Sequence, residues 1–380
     1  MKILILGADG YLGWSMTTSL ADDGHELILV DNYSKRKYME ELKRSPLCEM
    51  PLIPKRIKYL ADSSKKIKFH KMDCTNFKKT KNLIHKYRPD AIIHFAELPS
   101  APFSMLNNQY GWETLQNNLQ TTFNIIHCVK DINPDCHIIK LGTMGEYGTP
   151  NIDIEEGWLN IKHNKRKDKF LYPRQGSSLY HMSKIMDTDL IWFYVRNYGL
   201  NVTDLMQGPV YGIYYDQNNK NDSLAPTFTY DDIFGTVLNR FIVQAVAGIP
   251  LTVYGSGTQI RGYINVVDTI KCIKLTLDNK PAKGELAIYN QFTEQFSVNQ
   301  LAALVVKSLK KIDIHATINK IKNPRIEKEK HYYNAKHSNI KKMGLSPLKL
   351  SADVIIDIAK YVRKHKKNIN NKIIQPKVSW

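Results

Sequence analysis

Short apolar runs alternate with stretches of helical composition through the first half of the chain. Runs that are rich in Ile, Leu and Val are typical of strands buried on both faces of a parallel sheet. Helical stretches between such strands predict crossover connections, so residues 1 to about 205 are expected to form a doubly wound α/β sheet with helices on both faces. The predicted strands are Lys2–Leu6, Glu26–Val30, Lys68–Asp73, Ala91–Ala96 and His137–Leu141.

The pattern changes beyond about residue 205, where a polar loop, a helix at 236–247 and a short strand at Leu251–Tyr254 replace the regular alternation. The predicted domains are 1–205 plus about 262–290, and a smaller, discontinuous C-terminal domain of 206–261 plus 291–380. A polar, proline-containing insertion at 34–66 interrupts the first domain. This insertion predicts either a lid or a dimer arm.

A glycine-rich loop separates the first predicted strand from the first helix. Gly7 permits a tight turn, Gly10 lets the backbone approach a pyrophosphate, and Gly13 lets the helix pack close to the strand. Asp31, just after the second strand, is placed to accept hydrogen bonds from an adenosine ribose and to disfavour a 2′-phosphate. This order predicts a Rossmann-type NAD site. The alternative is an ordinary helix-capping loop followed by a turn aspartate.

Further cofactor contacts are expected at the carboxyl ends of the other strands, where ligands of open α/β sheets bind. The third strand ends in an aspartate that is placed to reach an adenine. His94, within the fourth strand, is expected to be a satisfied sheet residue rather than a ligand. The additional cofactor-binding candidates, including two in the glycine loop, are Asp9, Tyr11, Asn32, Asp73, Cys74, Phe95 and Ala96.

Tyr180 and Lys184 are four residues apart, so a helix would place the phenol and the ammonium on one face. An adjacent ammonium stabilises a phenolate and lowers the pKa of the phenol, which would make Tyr180 a general base for a sugar hydroxyl. Thr143, which follows the fifth strand, is expected to hydrogen-bond the same oxygen. The three residues predict alcohol oxidation with NAD, with Tyr180 and Lys184 also contacting the cofactor. Because isolated Tyr-Lys pairs occur by chance on solvated helices, this prediction depends on the glycine loop.

The chain has 54 basic and 36 acidic residues and a net charge of +18. Lys-rich stretches at 35–81, 162–169 and 363–372 predict solvated faces that attract anionic ligands; the alternative is nucleic-acid binding, for which no recognisable motif is present. Five cysteines without CxxC spacing predict a reduced, cytoplasmic protein without a metal site. No membrane span is expected, nor a signal or transit peptide before the glycine loop.

Longer motifs resemble the UDP-sulfoquinovose synthases, the sulfolipid-type members of the extended short-chain dehydrogenases/reductases. The most specific is Lys140–Gly157, which reads KLGTMGEYGTPNIDIEEG. The likeness runs almost from end to end and includes the insertion after Asp31. The other similar stretches are Ser100–Pro102, Ser104–Met105, Leu251–Gly255, Asn323–Arg325, His331–His337 and Pro376–Trp380.

The resemblance implies that UDP-glucose and sulfite are converted to UDP-sulfoquinovose and water. In this reaction NAD oxidises the sugar at C4, and the 4-ketone acidifies the C5 proton. Water is then lost across C5–C6, sulfite adds to C6, and hydride returns to C4, so NAD behaves as a bound prosthetic group. By analogy with the fold, the resemblance also implies a homodimer. It would form through the helix that begins near Asn107 and the helix that carries Tyr180.

The resemblance also implies which residues bind the substrate. Arg261 and Arg325 match positions near the nucleotide, and Arg325 is expected to form a bidentate contact with a phosphate. Arg261 is alternatively a surface ion-pair residue. The remaining candidates are Gln207 facing the sugar, Tyr254 and His331 in the similar stretches, Val210 facing the nicotinamide, and Asn117 holding a backbone or cofactor amide.

Some positions depart from related patterns. Sugar 4,6-dehydratases follow their threonine with an aspartate and a glutamate, whereas this chain has Met144 and Gly145, which cannot transfer a proton. His181 and Glu146 are each expected either to transfer that proton or to be structural. Plant-type synthases have an arginine just before Ser-Ala-Pro, where this chain has Pro99. Alternative functions are another nucleotide-sugar 4-epimerase or dehydratase, and a non-catalytic NAD- or nucleic-acid-binding protein.

Overall fold

The computed structural model describes residues 1–60, 66–214, 222–325 and 331–380. The strands are β1 (Lys2–Leu6), β2 (Glu26–Asp31), β3 (Ile67–Lys71), β4 (Ala91–His94), β5 (His137–Thr143), β6 (Trp158–His163), β7 (Arg166–Leu171), β8 (Asn201–Gln207), β9 (Val210–Tyr211), β10 (Leu251–Tyr254), β11 (Ile260–Asn265), β12 (Leu286–Gln291), β13 (Glu294–Ser297) and β14 (Ile318–Ile321). The α-helices are α1 (Tyr11–Asp22), α2 (Ser34–Glu41), α3 (Ile53–Lys58), α4 (Phe77–Tyr87), α5 (Ala101–Ser104), α6 (Asn108–Ile132), α7 (Leu179–Tyr198), α8 (Val237–Ala247), α9 (Val266–Asp278), α10 (Val298–Leu309), α11 (Asn339–Lys342) and α12 (Ala352–Lys364). Short 3-10 helices lie at Met144–Glu146, Asp222–Leu224, Lys310–Ile312, Lys366–Asn368 and Asn371–Ile373.

Seven parallel strands form the central sheet in the order β12-β8-β5-β4-β1-β2-β3. The chain winds outward from β1 in one direction through β2 and β3, and in the other direction through β4, β5, β8 and β12. The strand order therefore reverses between β1 and β4, and ligands of open α/β sheets bind outside the carboxyl ends of the strands at such a point.

The central strands β1, β2 and β4 are rich in apolar residues because helices cover both faces of the sheet. In β1, Leu4 and Leu6 pack on one face with buried residues of α4, α6 and α7. Ile3 and Ile5 pack on the other face with α1 and α9. This sheet with its two helical layers is the Rossmann-type fold that the sequence predicts.

A second apolar core lies outside the central sheet. Its buried side chains come from α8, α10, α12 and β10, together with Tyr211 and Tyr263. Beside it lie the small sheets β13-β11-β9 and β10-β14. The domain boundaries drawn from the sequence stay a prediction.

The insertion at 34–66 is described except for residues 61–65, and its described part packs on both cores. Arg36 and Arg56 both contact the carboxylate of Asp9 in the glycine loop, with closest distances of 2.6 and 3.3 Å. Arg44 binds Asp232 at 2.8 Å, and Leu47 is buried in the second core. Residues 34–60 therefore connect the glycine loop to the segment around 232.

The observed strands lie where the sequence predicts them, with small differences at their ends. β3 ends at Lys71 and β4 at His94, so Asp73, Phe95 and Ala96 lie in the loops that follow. The antiparallel hairpin of β6 and β7 is a feature that the sequence reasoning did not predict. Its strands are mostly exposed and carry charged residues, so their apolar pattern is weak.

Candidate active site

A cavity of about 380 Å³ opens at the carboxyl ends of β1, β2, β4 and β5. It lies at the reversal of strand order, where the glycine loop meets the loop after β4. Most of the residues that the sequence singled out are brought together here. Those that line the cavity are Gly7, Asp9, Gly10, Tyr11, Gly13, Asp31, Asn32, Asp73, Cys74, Phe95, Ala96, Asn117, Thr143, Tyr180, Gln207 and Val210.

The glycine loop needs glycine for three separate reasons. Gly7 has a φ of 81°, and a Cβ there would lie 2.6 Å from the carbonyl group of Phe95. A Cβ on Gly13 would lie 2.1 Å from the carbonyl oxygen of Gly7. Gly10 begins α1 without any side-chain cap, so the first N–H groups of the helix keep no side-chain partner. Bare N–H groups at a helix start fit a phosphate anion.

The carboxylate of Asp31 is fixed by its own backbone surroundings. One oxygen accepts the N–H of Asp9 at 2.8 Å and the other accepts the N–H of Tyr33 at 2.6 Å. Burial, followed by the charge of Asp9, raises the pKa of Asp31 to about 6. Each oxygen can accept a further hydrogen bond, so the oriented carboxylate still fits a ribose diol.

Other predicted cofactor residues hold the cavity wall in shape. The Tyr11 hydroxyl donates to the carbonyl of Gly212 at 2.6 Å, and the Asn32 amide donates to Asp73 at 3.1 Å. The Asp9 side chain is engaged by the two arginines of the insertion. Its contribution to a cofactor site is therefore indirect, through the shape of the glycine loop.

Thr143 and Tyr180 are hydrogen-bonded to each other at the cavity wall. Thr143 ends β5, while Tyr180 lies in the first turn of α7, which Ser178 caps by accepting the N–H of His181. The Tyr180 N–H also donates to the hydroxyl of Ser104 at 3.0 Å. Two separate elements thus fix the threonine hydroxyl beside the phenol.

Lys184 has a carboxylate partner that the sequence reasoning did not expect, and its predicted effect on the pKa of Tyr180 stays a prediction. Its ammonium is completely buried and forms an ion pair with Glu97, which also lines the cavity. Burial, followed by the charges of Glu97 and Glu146, raises the pKa of Tyr180 above its ordinary value. The sequence reasoning missed Glu97. Its position just after a predicted strand, at the cofactor edge of the sheet, was the available signal.

Glu146 lies behind the cavity wall and does not line it. One oxygen accepts the N–H of Thr143 at 3.2 Å, and the other accepts the hydroxyl of Thr188 at 3.2 Å. Lys140, also wholly buried, lies 3.7 Å away. Burial raises the pKa of Glu146 to about 7, against the lowering effect of Lys140. This geometry favours the structural alternative for Glu146, as an anchor of the Thr143 loop.

His181 lies beside Gly145 and, like Glu146 and Lys184, is not among the residues that line the cavity. A Cβ on Gly145 would lie 2.3 Å from Nε2 of His181, so any side chain at that position would require the imidazole to move. The Nδ1 atom lies 3.1 Å from the hydroxyl of Ser178, and the ring centroid lies 5.3 Å from that of Tyr180. Burial, followed by the charges of Arg325 and Arg261, lowers the pKa of His181 to about 3. The imidazole is therefore neutral near pH 7.

The predicted nucleotide-binding residues form a second group beside His181. Arg261, on β11, lies with Nη1 2.9 Å from Nε2 of His331. Arg325 places its guanidinium 5.1 Å from the ring centroid of Trp380. Tyr254 accepts a hydrogen bond from Arg240 at 2.7 Å. Arg261, Arg325, His331 and Tyr254 are not in the cavity lining. The charges of Arg325 and Arg261 nevertheless act on His181 and lower its pKa.

Among residues 1–60, 66–214, 222–325 and 331–380, no group of three or more His, Cys, Asp or Glu side chains is arranged to hold a metal ion. Over the same ranges, no helix has the length and apolar character that crossing a membrane requires. All five cysteines are unpaired.

The chain is similar along its whole length to curated enzymes. It is 41% identical over 380 residues to the chloroplastic UDP-sulfoquinovose synthase of Spinacia oleracea, covering 100% of this chain and 79% of that one. It is 39% identical over 387 residues to the UDP-sulfoquinovose synthase of Sulfolobus acidocaldarius, covering 100% of this chain and 98% of that one.

Solved structures share the fold at lower identity. The UDP-glucuronic acid 4-epimerase of Bacillus cereus, in complex with UDP-glucuronic acid and NAD, superposes with a TM-score of 0.69 at 20% identity over 96% of this chain and 99% of that chain. The dTDP-glucose 4,6-dehydratase DesIV of Streptomyces venezuelae gives a TM-score of 0.70 at 18% identity over 97% and 98%. Residues 3–290 match the NAD dependent epimerase/dehydratase family. The chain therefore belongs to the NAD dependent epimerase/dehydratase family, and within it to the UDP-sulfoquinovose synthases.

Proposed function

We propose that the chain is an NAD-dependent enzyme that converts UDP-glucose and sulfite to UDP-sulfoquinovose and water. The observation that carries this proposal is the hydrogen-bonded pair of Thr143 and Tyr180 in the same cavity as the glycine loop. That pair suits oxidation of a sugar hydroxyl, and the full-length likeness to two UDP-sulfoquinovose synthases supports the substrate and the product. Bound NAD supplies a reversible hydride acceptor for the sugar carbon.

Tyr180 takes the proton of the C4 hydroxyl while Thr143 orients the C4 oxygen. The resulting 4-ketone makes the C5 proton acidic, because the carbanion is conjugated with the carbonyl. Loss of that proton and of the C6 hydroxyl as water leaves a C5–C6 double bond. Sulfite forms its carbon–sulfur bond at C6 with its electron pair, and C5 is reprotonated. Tyr180 returns its proton to the C4 oxygen, while C4 takes back the hydride that bound NAD had accepted. The oxidation is thus transient.

The C5 and C6 steps need a proton carrier other than residues 144 and 145. His181 lies beside Gly145 with its ring centroid 5.3 Å from that of Tyr180, and its imidazole is neutral near pH 7. Burial and the charges of Arg325 and Arg261 hold its pKa at about 3, below the value that suits a base at that pH, so an anion bound near the two arginines would raise its basicity. We assign the proton transfer at C5 to His181. Glu146 is turned away from the cavity into a buried network and serves as the anchor of the Thr143 loop.

The substrate diphosphate requires positive partners. Arg261 and His331 lie together on one side of His181, and the effect of Arg325 on His181 places its charge nearby. A planar guanidinium can form a bidentate contact with a phosphate. Tyr254 lies farther along the same side, where it accepts a hydrogen bond from Arg240. We assign this group to the UDP portion of the substrate.

Pro99, which takes the place of an arginine in plant-type synthases, lines the cavity and offers no charge. The assignment of sulfite rests on the likeness to the two synthases. Purified protein should be incubated with UDP-glucose and sulfite, and the products analysed by mass spectrometry. A sulfonated nucleotide sugar confirms the proposal; UDP-galactose without any sulfonated product would instead identify a 4-epimerase.

A homodimer through α6 and α7 is also proposed. These helices present an exposed apolar stripe on one surface, which includes Trp112 at 62%, Phe123 at 40% and Phe193 at 44% exposure. Phe123 and Phe193 both contact the ring of Tyr194, so the stripe is continuous across the two helices. Contiguous apolar surface of this kind is characteristic of an interface. A cytoplasmic location is proposed on the five unpaired cysteines.

A further inference from the structure

Glu97 is a charged side chain at the cavity wall that the mechanism above does not use. It follows β4, lines the cavity, and keeps only 7% of its side chain exposed. One carboxylate oxygen contacts the ammonium of Lys184, and the other lies 3.3 Å from Nε2 of His94. Lys184 is one turn from Tyr180 on α7. A carboxylate therefore holds the lysine that the sequence assigns to the tyrosine.

The position of Glu97 is built by contacts on both sides of the cavity wall. The N–H of Leu98, the next residue, donates to the side-chain oxygen of Asn118 at 2.8 Å. The Asn118 amide donates to the hydroxyl of Ser183 at 2.9 Å, and Ser183 donates to the carbonyl of Tyr180 at 2.8 Å. The loop that carries Glu97 is thus tied through α6 to the turn of α7 that carries Tyr180.

Other titratable groups also surround Tyr180 and Lys184, but their contacts differ from those of Glu97. Lys140 on β5 and Asp204 on β8 form an ion pair with each other at 3.3 Å. Of the groups around the two residues, only Glu97 both pairs directly with Lys184 and lines the cavity. The surrounding groups are His94 and Glu97 at the end of β4, Lys140 on β5, Glu146 after β5, His181 and Asp187 on α7, and Asp204 on β8.

We propose that Glu97 is a positioning residue for C4 oxidation, which fixes the Lys184 ammonium by a direct ion pair and whose negative charge sets the pH at which Tyr180 becomes a base. This inference rests on the proposed oxidation step. An ammonium that is neutralised by a carboxylate stabilises a nearby phenolate less than a bare ammonium does. The negative charge of Glu97 also opposes ionisation of Tyr180 directly, and burial of the pair weakens screening by water.

The test measures C4 oxidation alone, without sulfite. UDP-glucose is added to the holoenzyme, and the rate at which bound NAD is reduced is followed by its absorbance across a pH series. For Glu97→Gln, the acid limb of this profile is expected to move to lower pH by about one unit, which is about a tenfold faster reduction below the limb. For Glu97→Asp, whose carboxylate is one methylene farther from Lys184, a smaller shift in the same direction is expected.

The matched control is Glu26→Gln, because Glu26 forms an ion pair with Lys68 at 3.3 Å on the surface. Its profile should match that of the wild type. An unchanged acid limb in Glu97→Gln overturns the inference, and if that variant does not fold, an unchanged limb in Glu97→Asp does so. Product analysis keeps the two ideas separate: a shifted limb without any sulfonated product supports the role of Glu97 while rejecting sulfite as the substrate.

Discussion

The imidazole of His181 occupies the space that any side chain at Gly145 would need. A Cβ at 145 would come within 2.3 Å of Nε2. Any side chain at position 145 would therefore require the imidazole to move. The position of His181 beside Gly145 supports the proposal that this imidazole transfers the proton at C5.

Gly145→Ala is expected to displace His181 while leaving the fold and NAD binding intact. A shift of about 1 Å in a reacting group can cost about a hundredfold in rate. The measurement is turnover of UDP-glucose, with bound NAD quantified in the same sample. Gly248→Ala is the control for backbone strain alone: its φ of 77° makes alanine strained, but a Cβ there has no neighbour within 4 Å. This variant should therefore keep its activity. Full activity in Gly145→Ala would remove His181 from the mechanism.

Tyr180→Phe should abolish turnover because it removes the proton acceptor and the hydrogen bond with Thr143. Loss of a general base typically lowers the rate by about 10²–10⁴-fold. NAD should remain bound, which its absorbance in the purified protein reports. Tyr332→Phe is the control, since Tyr332 is 45% exposed and lies outside the cavity. Comparable activity in both variants would contradict the assigned role.

Asp9→Asn is expected to destabilise the protein because it leaves two arginines without their carboxylate. Arg56 is completely buried, burial lowers its pKa to about 9, and the charge of Asp9 acts against that lowering. Removing one member of a buried ion pair costs roughly 3–5 kcal/mol, and partial exposure of Arg36 places this site at the lower end. Denaturant unfolding measures the loss, and Glu26→Gln should cost less than about 1 kcal/mol. Equal losses would show that the insertion is not held through Asp9.

Stability is expected to fall in acid partly because of His137. Burial lowers the pKa of His137 from the ordinary value of 6.5 to about 4 in the folded protein. Between those values the unfolded chain binds a proton that the folded protein does not, so the free energy of unfolding decreases as the pH falls through this window. The contribution reaches roughly 3 kcal/mol near pH 4.

His137→Gln removes the contribution of His137 to the pH dependence of stability. The glutamine can still hydrogen-bond Thr203, whose hydroxyl lies 2.9 Å from Nε2 of His137. Its free energy of unfolding should therefore fall less steeply between pH 6.5 and pH 4 than that of the wild type. The exposed His163 gives the control, His163→Gln, whose slope should match the wild type. Identical slopes for all three proteins would show that His137 has the same pKa in the folded protein as in the unfolded chain.

Phe193→Lys should convert a dimer to a monomer by placing a charge in the apolar stripe of α6 and α7. Light scattering during size-exclusion chromatography gives the mass of each variant. Phe170→Lys is a matched control, because Phe170 is 49% exposed on the β6–β7 hairpin rather than 44% exposed on α7. A wild-type monomer, or an unchanged dimer in Phe193→Lys, would contradict the proposed interface.

Much of the fold follows from local pattern. The strands that build the sheet as far as β5 are apolar runs in the sequence, and the observed β1 matches its predicted bounds. The glycine spacing predicts the cofactor loop because the need for glycine is set by the local backbone, as the positive φ of Gly7 shows. The hairpin of β6 and β7 escaped prediction because its strands are exposed and highly charged, which leaves little apolar alternation to detect.

The sequence by itself determined the strand–loop–helix start, the Tyr-x-x-x-Lys spacing and the candidates that line one cavity, since these depend on residues near each other or on the shared edge of parallel strands. Only the tertiary structure decided what Lys184 binds, where His181 lies and how Asp9 is used. Lys184 contacts Glu97, which is 87 positions away, His181 of α7 lies against Gly145 after β5, and Asp9 contacts Arg56 of the insertion. These contacts depend on how α7 and the insertion pack on the sheet, and a local sequence pattern does not specify that packing.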